Sequence, residues 1–363
     1  MNKPNPNTYV AIMAGGIGSR FWPYSRVEKP KQFLDVLNTG KTLIQMTYER
    51  FLHICPAENI YVVTNEMYAH LVKEQIPSIS DDQIIKEPVR RNTAPCIAYA
   101  CQKIYAKDKS ATIVVSPSDH LVLKEVDFVK TIQKGVEFSS NRDVLLTMGI
   151  KPSRPDTGYG YIQYTDSNIA KGIHKVKAFT EKPNLELAQT FIKSGDFLWN
   201  SGMFIWSALS IMNAMEKHLP DIFNEISSCQ KDFFTDKEEK SVSKAYAKCT
   251  SISIDYGVME KAENVFVLPA DFGWSDIGTW ASLYEIYEKD YLGNAVNGPM
   301  TKIYDGSDNM VMVPKEKLVV LNGIKNCCII DTDDVLLIMD KSKEQEVKKI
   351  TTDLKSKKLD KYL

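Results

Sequence analysis

The stretch that decides the fold is AIMAGGIGSRFWPYSRVEKPKQFLDV, Ala11 to Val36. It begins inside an apolar run, TYVAIMA at 8–14, which is typical of a β-strand. Three glycines then free the backbone to turn several N–H groups toward one anion, and four cations follow within twelve positions. The glycines are Gly15, Gly16 and Gly18, and the cations are Arg20, Arg26, Lys29 and Lys31. This pattern predicts a phosphate-binding loop directly after the first strand.

The loop fits neither of two common phosphate-binding motifs. GGIGSR places Arg20 where a dinucleotide site has its third glycine, and the GK[ST] ending of a Walker loop is absent. The many cations favour a polyphosphate that is to be attacked, whose negative charge must be offset, over a passively held pyrophosphate. The simpler alternative is a glycine turn that binds nothing, but Pro23 and Pro30 stiffen the loop and argue against it.

Short apolar runs alternate with longer amphipathic ones over the first 150 residues. Strands are predicted at 8–14, 59–64, 112–117 and 143–150, and helices near 42–54, 65–76, 93–107 and 126–140. This alternation indicates a Rossmann-like α/β domain whose mixed, mainly parallel sheet is covered by helices. Ligands of such sheets bind beyond the carboxyl ends of the strands, which is where the phosphate loop must lie.

The pattern loosens in the second half of the sequence. HKVKAFTEKP and GMFIWS resemble strands, and helices are predicted at 185–194, 207–227, 236–249 and 278–289. From about 296 to 340, short strand-like pieces follow one another without helices, and a Lys-rich stretch then resembles a solvated amphipathic helix. We therefore predict a main α/β domain over 1–290 and a small β appendage with a helical tail over 291–363.

Composition excludes several classes of function. The 363 residues are 44% hydrophobic and 25% charged, with a formal net charge of −1 and a pI near 6.5. This balance argues against a nucleic-acid or membrane-surface binder. No segment reaches the roughly 18 apolar residues of a membrane span and the N-terminus lacks signal-peptide features, so we expect a cytoplasmic protein. Seven cysteines without CxxC spacing favour reduced thiols.

The phosphate loop resembles the signature of a known family. GGIGSRFWPYSRVEKPKQF is similar to that of the sugar-nucleotide pyrophosphorylases, and its WP-Y-SR...PKQF form to that of the mannose-1-phosphate guanylyltransferases. Further motifs follow in that family's order: EPVRRNTAP (87–95), SPSDH (116–120), FTEKP (179–183), WNSGMF (199–204), SIDYGVMEKAENV (253–265) and DFGWSDIGTW (271–280). The resemblance spans about residues 8–290 and is weaker over the appendage. Ser19, Phe21 and Tyr24 are mild departures from the family's usual Thr, Leu and Leu.

The resemblance implies a nucleotidyltransferase domain and a reaction. Mannose 1-phosphate would attack the α-phosphorus of GTP in line and expel diphosphate, giving GDP-mannose. The catalytic residues that it implies are Arg20, Lys31, Asp119 and Asp276. Lys31 would stabilise charge at the α-phosphoryl group, and the two aspartates would hold Mg²⁺, for which Mn²⁺ can substitute.

The same resemblance assigns two binding regions. The residues implied for the nucleotide are Gly15, Gly16, Gly18, Ser19, Arg20, Lys31, Arg91, Asn92 and Ser118. The residues implied for the sugar phosphate are Gly158, Glu181, Lys182 and Asn200. Simpler explanations stay open for some of them, since Asn92 could only cap a helix and Glu181 with Lys182 could only form a surface salt bridge.

The implied metal ligands also have simpler explanations. Asp119 follows an apolar strand and Asp276 precedes a predicted helix, so either could cap a helix N-terminus instead. His120 could be a ligand, although a hydrogen bond within the fold suits it better.

Rival functions remain at this stage. One is a pyrophosphorylase for another hexose 1-phosphate or another nucleoside triphosphate. A second is a GT-A glycosyltransferase, which would carry a DxD-type metal motif where SPSDH offers one aspartate. A silent regulatory subunit would have lost a catalytic residue, and all are present. The resemblance further implies a left-handed β-helix in the appendage and a homodimer. Because longer relatives continue into a cupin-type phosphomannose isomerase domain, no isomerase activity is expected.

Overall fold

The computed structural model describes residues 5–170 and 172–363. The described chain forms two compact units. Among these described residues, unit 1 takes those within 5–15, 44–118 and 122–274, and unit 2 those within 16–43, 119–121 and 275–363. The units are therefore not consecutive stretches of chain, and the predicted boundary at residue 290 stays a prediction.

The regular elements of the described chain are numbered in chain order. The strands are β1 (Thr8–Met13), β2 (Ile60–Asn65), β3 (Ile84–Glu87), β4 (Thr112–Pro117), β5 (Leu121–Val122), β6 (Leu145–Ile150), β7 (Tyr161–Ala170), β8 (Ile173–Thr180), β9 (Phe197–Ser207), β10 (Val265–Ala270), β11 (Trp274–Ser275), β12 (Ala295–Asn297), β13 (Thr301–Tyr304), β14 (Met310–Met312), β15 (Val319–Asn322), β16 (Cys327–Asp331) and β17 (Leu336–Asp340). The helices are α1 (Leu43–Phe51), α2 (Ala69–Gln75), α3 (Thr93–Lys107), α4 (Glu125–Ser139), α5 (Leu185–Ser194), α6 (Ala208–His218), α7 (Pro220–Ser227), α8 (Glu238–Lys248), α9 (Trp280–Ile286) and α10 (Val347–Ser356). None of these helices has the length and apolar character needed to cross a membrane.

Unit 1 is built on a nine-stranded sheet with the strand order β3-β2-β1-β4-β9-β6-β10-β8-β7. β3, β2, β1 and β4 run parallel, as strands joined by helical crossovers must. β9 runs antiparallel to both β4 and β6, and β7 pairs with β8 as an antiparallel hairpin. The predicted mixed α/β fold is confirmed, but the sheet is less parallel than predicted, because the described parallel ladders are those of β3-β2-β1-β4 and of β6 with β10.

Burial of the central strands fixes the edge of the sheet at which ligands are expected. β1 is buried from Thr8 to Ile12, which explains its unbroken apolar sequence. β1 and β4 are in register, with Met13 paired to Pro117. The residues that follow each strand, Gly15 and Ser118, therefore emerge at the same carboxyl edge.

Unit 2 contains the β appendage, whose strands pair mostly in parallel. Ala295 of β12 pairs with Met310 of β14, and Met310 pairs with Cys328 of β16, so the chain returns to the same ladder after each loop. β13 and β15 form a second parallel ladder, and β17 closes the first one antiparallel to β16. Buried Asn309 bonds to both neighbouring levels, donating to Asn294 Oδ1 at 2.9 Å and to the Ile324 carbonyl at 2.8 Å.

Most predicted helices of unit 1 are present, and the one predicted wrongly as a single helix is divided for a local reason. The helix predicted at 207–227 is two helices, α6 and α7, because Pro220 lacks the N–H that would continue the first one. Among the strands ahead of the appendage, the sequence patterns do not predict β3, β5, β7, β10 or β11. The predicted amphipathic helix of the tail is present as α10: Val347 is buried, Ile350, Thr351 and Leu354 are half-buried, and its other residues are exposed. The residues beyond α10 are hydrogen-bonded within unit 2.

Two neighbouring glutamates at the start of α8 give a stability test for unit 1. Glu238 Oε1 lies 2.6 Å from Lys103 Nζ with both side chains buried, whereas Glu239 Oε1 lies 2.6 Å from Lys86 Nζ at the surface. Removing one partner of a buried pair strands the other charge, so Glu238→Ala should cost about 3–5 kcal/mol of unfolding free energy. The matched control Glu239→Ala should cost about 1 kcal/mol or less. Urea unfolding of both variants checks this, and equal midpoints would contradict it.

Candidate active site

Lys31 is a buried lysine of unit 2. Pro30 leads into a short 3₁₀ turn, Lys31–Phe33, which turns the lysine inward, and only 3% of the residue is exposed. Its ammonium lies 2.7 Å from Asp119 Oδ2. It also donates to the carbonyls of Asp276 at 2.8 Å and Ile277 at 3.0 Å. An ammonium has three N–H donors, so these acceptors engage all of them.

Asp119 does not cap a helix. It lies between β4 and β5, and α4 begins only at Glu125, so the capping alternative is wrong for this residue. Burial by itself would raise the pKa of the Asp119 carboxyl, but the Lys31 ammonium and His120 outweigh burial and hold that pKa below its ordinary value. Asp119 is therefore an anion, and 30% of its side chain is exposed and available to a ligand.

Asp276 does not cap a helix either. The cap of α9 is Thr279, whose hydroxyl accepts from the Ser282 N–H while Ser282 Oγ accepts from the Thr279 N–H. The Asp276 carboxylate instead accepts from the Gly278 N–H at 2.9 Å. Between them, Ile277 has a φ of 42°, a left-handed conformation that a β-branched residue rarely adopts. Such strain is concentrated at functional sites, and here the strained carbonyl accepts from Lys31.

The glycines of the loop differ in what they permit. Gly18 has a φ of 66°, and a Cβ built on it would lie 2.5 Å from Lys31 Cβ. Gly16 is exposed, and a Cβ built on it would meet no heavy atom within 4 Å. Ser19 and Arg20, the other phosphate-loop residues, form a 3₁₀ turn with Phe21. Gly18 is thus needed for close packing against Lys31, and Gly16 leaves open space.

The last two residues of the sequence accept hydrogen bonds from Trp22, Arg26 and Val27 of the same loop. Trp22 Nε1 donates to the Tyr362 carbonyl at 2.6 Å, and Arg26 Nη1 donates to the same oxygen at 2.5 Å. The Val27 N–H donates to the Leu363 carbonyl at 3.2 Å. Arg26 also pairs with Asp334 at 2.6 Å. Arg26, which the sequence suggested as a phosphate cation, therefore has a structural role in unit 2.

In unit 1, the residues expected near the nucleotide have unequal freedom. Asn92 is the cap of α3, with its side chain accepting from the Thr93 N–H at 2.8 Å, so the simpler explanation suffices for it. Arg91 is half-buried, and its Nε has no hydrogen-bond partner among the described residues. Ser118 is buried, and its N–H donates to the Met13 carbonyl at 3.0 Å. Within this set, the Arg91 Nε is the group left unsatisfied, although Arg91 Nη2 donates to the Ala247 carbonyl at 3.5 Å.

The sugar-phosphate candidates are also residues of unit 1. Glu181 and Lys182 form an ion pair at 2.8 Å, and Lys182 has a φ of 47°. Asn200 Nδ2 donates to Asp255 Oδ1 at 2.7 Å. Gly158 is held in a local turn, its N–H donating to Asp156 Oδ1 at 2.8 Å.

Two residues of this region were missed from the sequence. Gly160 is buried, and a Cβ on it would lie 2.5 Å from Glu181 Oε2 and 3.4 Å from Asn200 Cβ, so only a glycine lets the backbone pack this closely against both side chains. Asp255, the partner of Asn200, lies in the quoted motif SIDYGVMEKAENV but was given no role. The signal that could have identified Asp255 is that it is a carboxylate within one of the motifs shared with the family.

Asp119 and Asp276 are the two residues expected from the sequence to hold a metal ion. Asp119 and Asp276 both contact the Lys31 ammonium, one through its carboxylate and the other through its carbonyl. Among the described residues, no group of three or more His, Cys, Asp and Glu side chains is arranged to hold a metal ion. All seven cysteines are free thiols, and six of them are buried.

A family model described as "Nucleotidyl transferase" matches residues 9–291. The chain belongs to the nucleotidyl transferase family. It is 38% identical over 352 residues to a mannose-1-phosphate guanylyltransferase of Salmonella montevideo, covering 95% of this chain and 73% of that relative. It is 35% identical over 364 residues to the enzyme of that name from Escherichia coli K12, covering 96% of this chain and 73% of the relative.

A solved structure is similar to this nucleotidyl transferase over almost its whole length. A crystal structure from Thermus thermophilus, described as a "mannose-1-phosphate geranyltransferase", superposes with a TM-score of 0.87 at 28% identity. The match covers 96% of this chain and 99% of that one. The likeness therefore extends through both units.

Gly16 and Gly18 give a paired test of the loop of this nucleotidyl transferase. Gly18→Ala adds both left-handed strain and a clash with Lys31 Cβ, so we expect a loss of about 1–3 kcal/mol of unfolding free energy. Gly16→Ala adds a methyl group to open space and should change stability by about 0.5 kcal/mol or less. Thermal melts without nucleotide measure both, and a Gly18→Ala protein that melts with the parent would refute this description of the loop.

Glu87 gives a pH-dependent test of the unit 1 core. Burial raises the pKa of the Glu87 carboxyl to about 7, against the smaller opposing effects of Tyr246 and Arg90. Because the folded state prefers the neutral acid, its stabilising effect is complete below pH 4.5 and is lost as the pH rises through 7. The full difference is about 3 kcal/mol. Glu87→Gln, neutral at every pH, should gain melting temperature over the parent between pH 5 and pH 8.

The control for this test is Glu316→Gln, a change at an exposed glutamate. Its difference from the parent should be the same at both pH values. A Glu87→Gln difference that is likewise independent of pH would show that Glu87 is ionised in the folded protein throughout this range.

Proposed function

We propose that the protein is a mannose-1-phosphate guanylyltransferase, which makes GDP-mannose and diphosphate from GTP and mannose 1-phosphate. The observation that carries the proposal is the 38% identity to the Salmonella enzyme over 95% of the chain. That share of the chain includes Lys31 and its partners Asp119, Asp276 and Ile277. The reaction forms one bond, from a phosphate oxygen of mannose 1-phosphate to the α-phosphorus of GTP. It breaks the bond from that phosphorus to the bridging oxygen of the departing diphosphate.

The chain's own residues would position the reactants and offset charge. The loop residues Gly15, Gly16, Gly18, Ser19 and Arg20 would surround the triphosphate. Arg91, with its unsatisfied Nε, and Ser118 would contact the nucleoside, and Asn92 would act through its capped helix. Gly158, Glu181, Lys182 and Asn200 would hold the sugar phosphate, with Gly160 packed behind Glu181 and Asn200.

Lys31 would reach the α-phosphoryl group only by exchanging a partner. Its three donors are engaged by Asp119, Asp276 and Ile277. The two carbonyls are backbone groups of a turn in which Ile277 is buried and has a φ of 42°, whereas the Asp119 side chain is 30% exposed and can change rotamer. Asp119 is therefore the partner that can turn away, which frees one N–H of Lys31 for the phosphoryl oxygen as charge develops there.

Asp119 and Asp276 fit a hard divalent cation. Carboxylate oxygens are the ligands that Mg²⁺ prefers, and Mg²⁺ usually takes one or two carboxylates and completes its shell with phosphate oxygens and water. The absence of a third side-chain ligand among the described residues agrees with that coordination. When bound, Mg²⁺ or Mn²⁺ would supply charge neutralisation at the phosphates.

Two structural expectations extend this proposal. The parallel ladders β12-β14-β16 and β13-β15 would be levels of a short left-handed β-helix, since each loop brings the chain back to the same ladder. The protein would act as a homodimer.

The proposal is tested by product analysis. The purified protein is incubated with Mg²⁺, each of the common nucleoside triphosphates, and mannose, glucose or N-acetylglucosamine 1-phosphate. Diphosphate release and the sugar nucleotide are both measured. GDP-mannose should form fastest. Faster formation of another sugar nucleotide would reassign the substrate, and the absence of any would refute nucleotidyl transfer.

Asp276→Asn separates the metal role from a structural one. The amide oxygen introduced by this change can still accept from the Gly278 N–H, and the backbone carbonyl can still accept from Lys31, so the variant should melt near the parent. Replacing an anionic ligand by a neutral amide should lower turnover about 100-fold or more, with partial recovery at high Mg²⁺ or Mn²⁺. Steady-state kinetics against metal concentration checks this. Turnover near the parent's at ordinary Mg²⁺ would rule out Asp276 as a ligand.

A further inference from the structure

Asp255 opens an unusual turn in unit 1. Residues Asp255–Met259 form one turn of π-helix, in which the Glu260 N–H donates to the Asp255 carbonyl at 2.9 Å. Single π-helical turns are rare, cost regular hydrogen bonding, and occur most often at functional sites. The turn therefore raises the question of what Asp255 does.

The turn is fixed in place from two sides. On one side the Ile254 N–H donates to Thr93 Oγ1 at 2.9 Å, and the Ala94 N–H donates to the Ile252 carbonyl at 3.0 Å. On the other side, a Cβ on Gly257 would lie 2.7 Å from Leu219 Cδ1, so the turn packs at van der Waals contact. Asp255 is thus presented on a rigid segment, as a residue that orients another must be.

The contact of Asp255 is with the amide of Asn200. Asn200 Nδ2 donates to Asp255 Oδ1 at 2.7 Å, and Asn200 Oδ1 accepts from the Gly202 N–H at 3.1 Å. A donor on one side and an acceptor on the other leave one orientation of the amide satisfied, because a flip would set the amide oxygen against the carboxylate. Asp255 thus holds the nitrogen end of the Asn200 amide, while the Gly202 N–H and the Thr147 hydroxyl, at 3.4 Å, hold its oxygen end.

The surroundings of this pair are polar and crowded. A Cβ on Gly160 would lie 3.4 Å from Asn200 Cβ and 2.5 Å from Glu181 Oε2, so Asn200 and Glu181 flank the same glycine. Burial first, and then the charge of Glu181, raise the pKa of the Asp255 carboxyl, which the Asn200 hydrogen bond partly offsets. Gly160 itself is buried, but the side chains of Asn200, Glu181 and Asp255 are only partly buried. One amide and two carboxyl groups that solvent still reaches suit a ligand rich in hydroxyl groups.

We propose that Asp255 is a positioning residue of the sugar-phosphate subsite, which orients the Asn200 amide toward the hydroxyl groups of the hexose ring. This rests on the proposed function. The rival explanation is that Asp255 serves only the π-helical turn and has no effect on substrate.

The test is a set of variants assayed with hexose 1-phosphate and GTP varied in turn. Asp255→Ala removes the acceptor, and Asp255→Leu does so with a side chain of similar size if the alanine variant folds poorly. Each should raise the KM for mannose 1-phosphate about tenfold and leave the KM for GTP within about twofold. Asp255→Asn, whose amide oxygen can still accept from Asn200, should recover most of the loss.

A double-mutant cycle shows whether Asp255 acts through Asn200. If it does, Asp255→Ala combined with Asn200→Ala should be no worse than Asn200→Ala alone. The matched control is Glu260→Ala, at the exposed end of the same turn, which should behave as the parent. Additive effects, an equal rise in both KM values, or a control that matches Asp255→Ala would each overturn the proposal.

The outcomes also separate this proposal from the proposed function. If the parent makes GDP-mannose and the Asp255 variants match it, only the role of Asp255 is wrong. If the parent makes no sugar nucleotide, the function fails and the positioning role fails with it.

Discussion

The arrangement of unit 2 depends on one buried ammonium. Lys31 joins three separate pieces of chain, because it pairs with Asp119 and holds the carbonyls of Asp276 and Ile277. Burying an ammonium group is costly unless its charge is paired and its N–H groups are hydrogen-bonded. Lys31 therefore needs Asp119 and the two carbonyls in order to stay buried. The strained φ of Ile277 is maintained by the same contact. Under the proposed function, catalysis and folding thus make competing demands on the Lys31 side chain.

Much of this could be predicted from local sequence. The phosphate loop after the first strand is recognisable from residues that are close together in sequence. The position of Asp119 shortly after a buried strand is recognisable in the same way. The family match confirms the predicted class of enzyme. Local rules could not decide whether Asp119 and Asp276 cap helices or face a ligand, because aspartate is common at helix N-caps. Three-dimensional bounds decided it, since α4 begins at Glu125 and α9 is capped by Thr279.

The remaining features could not be predicted because they depend on residues far apart in sequence. The Asn200–Asp255 hydrogen bond and the contacts of Arg26 with Asp334 and the Tyr362 carbonyl join distant segments. The antiparallel half of the sheet arises because β9 enters between β4 and β6, a choice that no single strand encodes. Sequence reasoning therefore gave the chemical groups of the candidate site, but not the partners that hold them.

The central claim is that the phosphate oxygen of a sugar phosphate attacks the α-phosphorus of a nucleotide. Mannose 1-phosphate labelled with ¹⁸O in the non-bridging oxygens of its phosphate, incubated with unlabelled GTP, tests it directly by mass spectrometry of both products. The account predicts that GDP-mannose retains all of the label, with one labelled atom in the bridge between its phosphorus atoms, and that diphosphate carries none. Label in the released diphosphate, or its loss from the sugar nucleotide, would contradict the account.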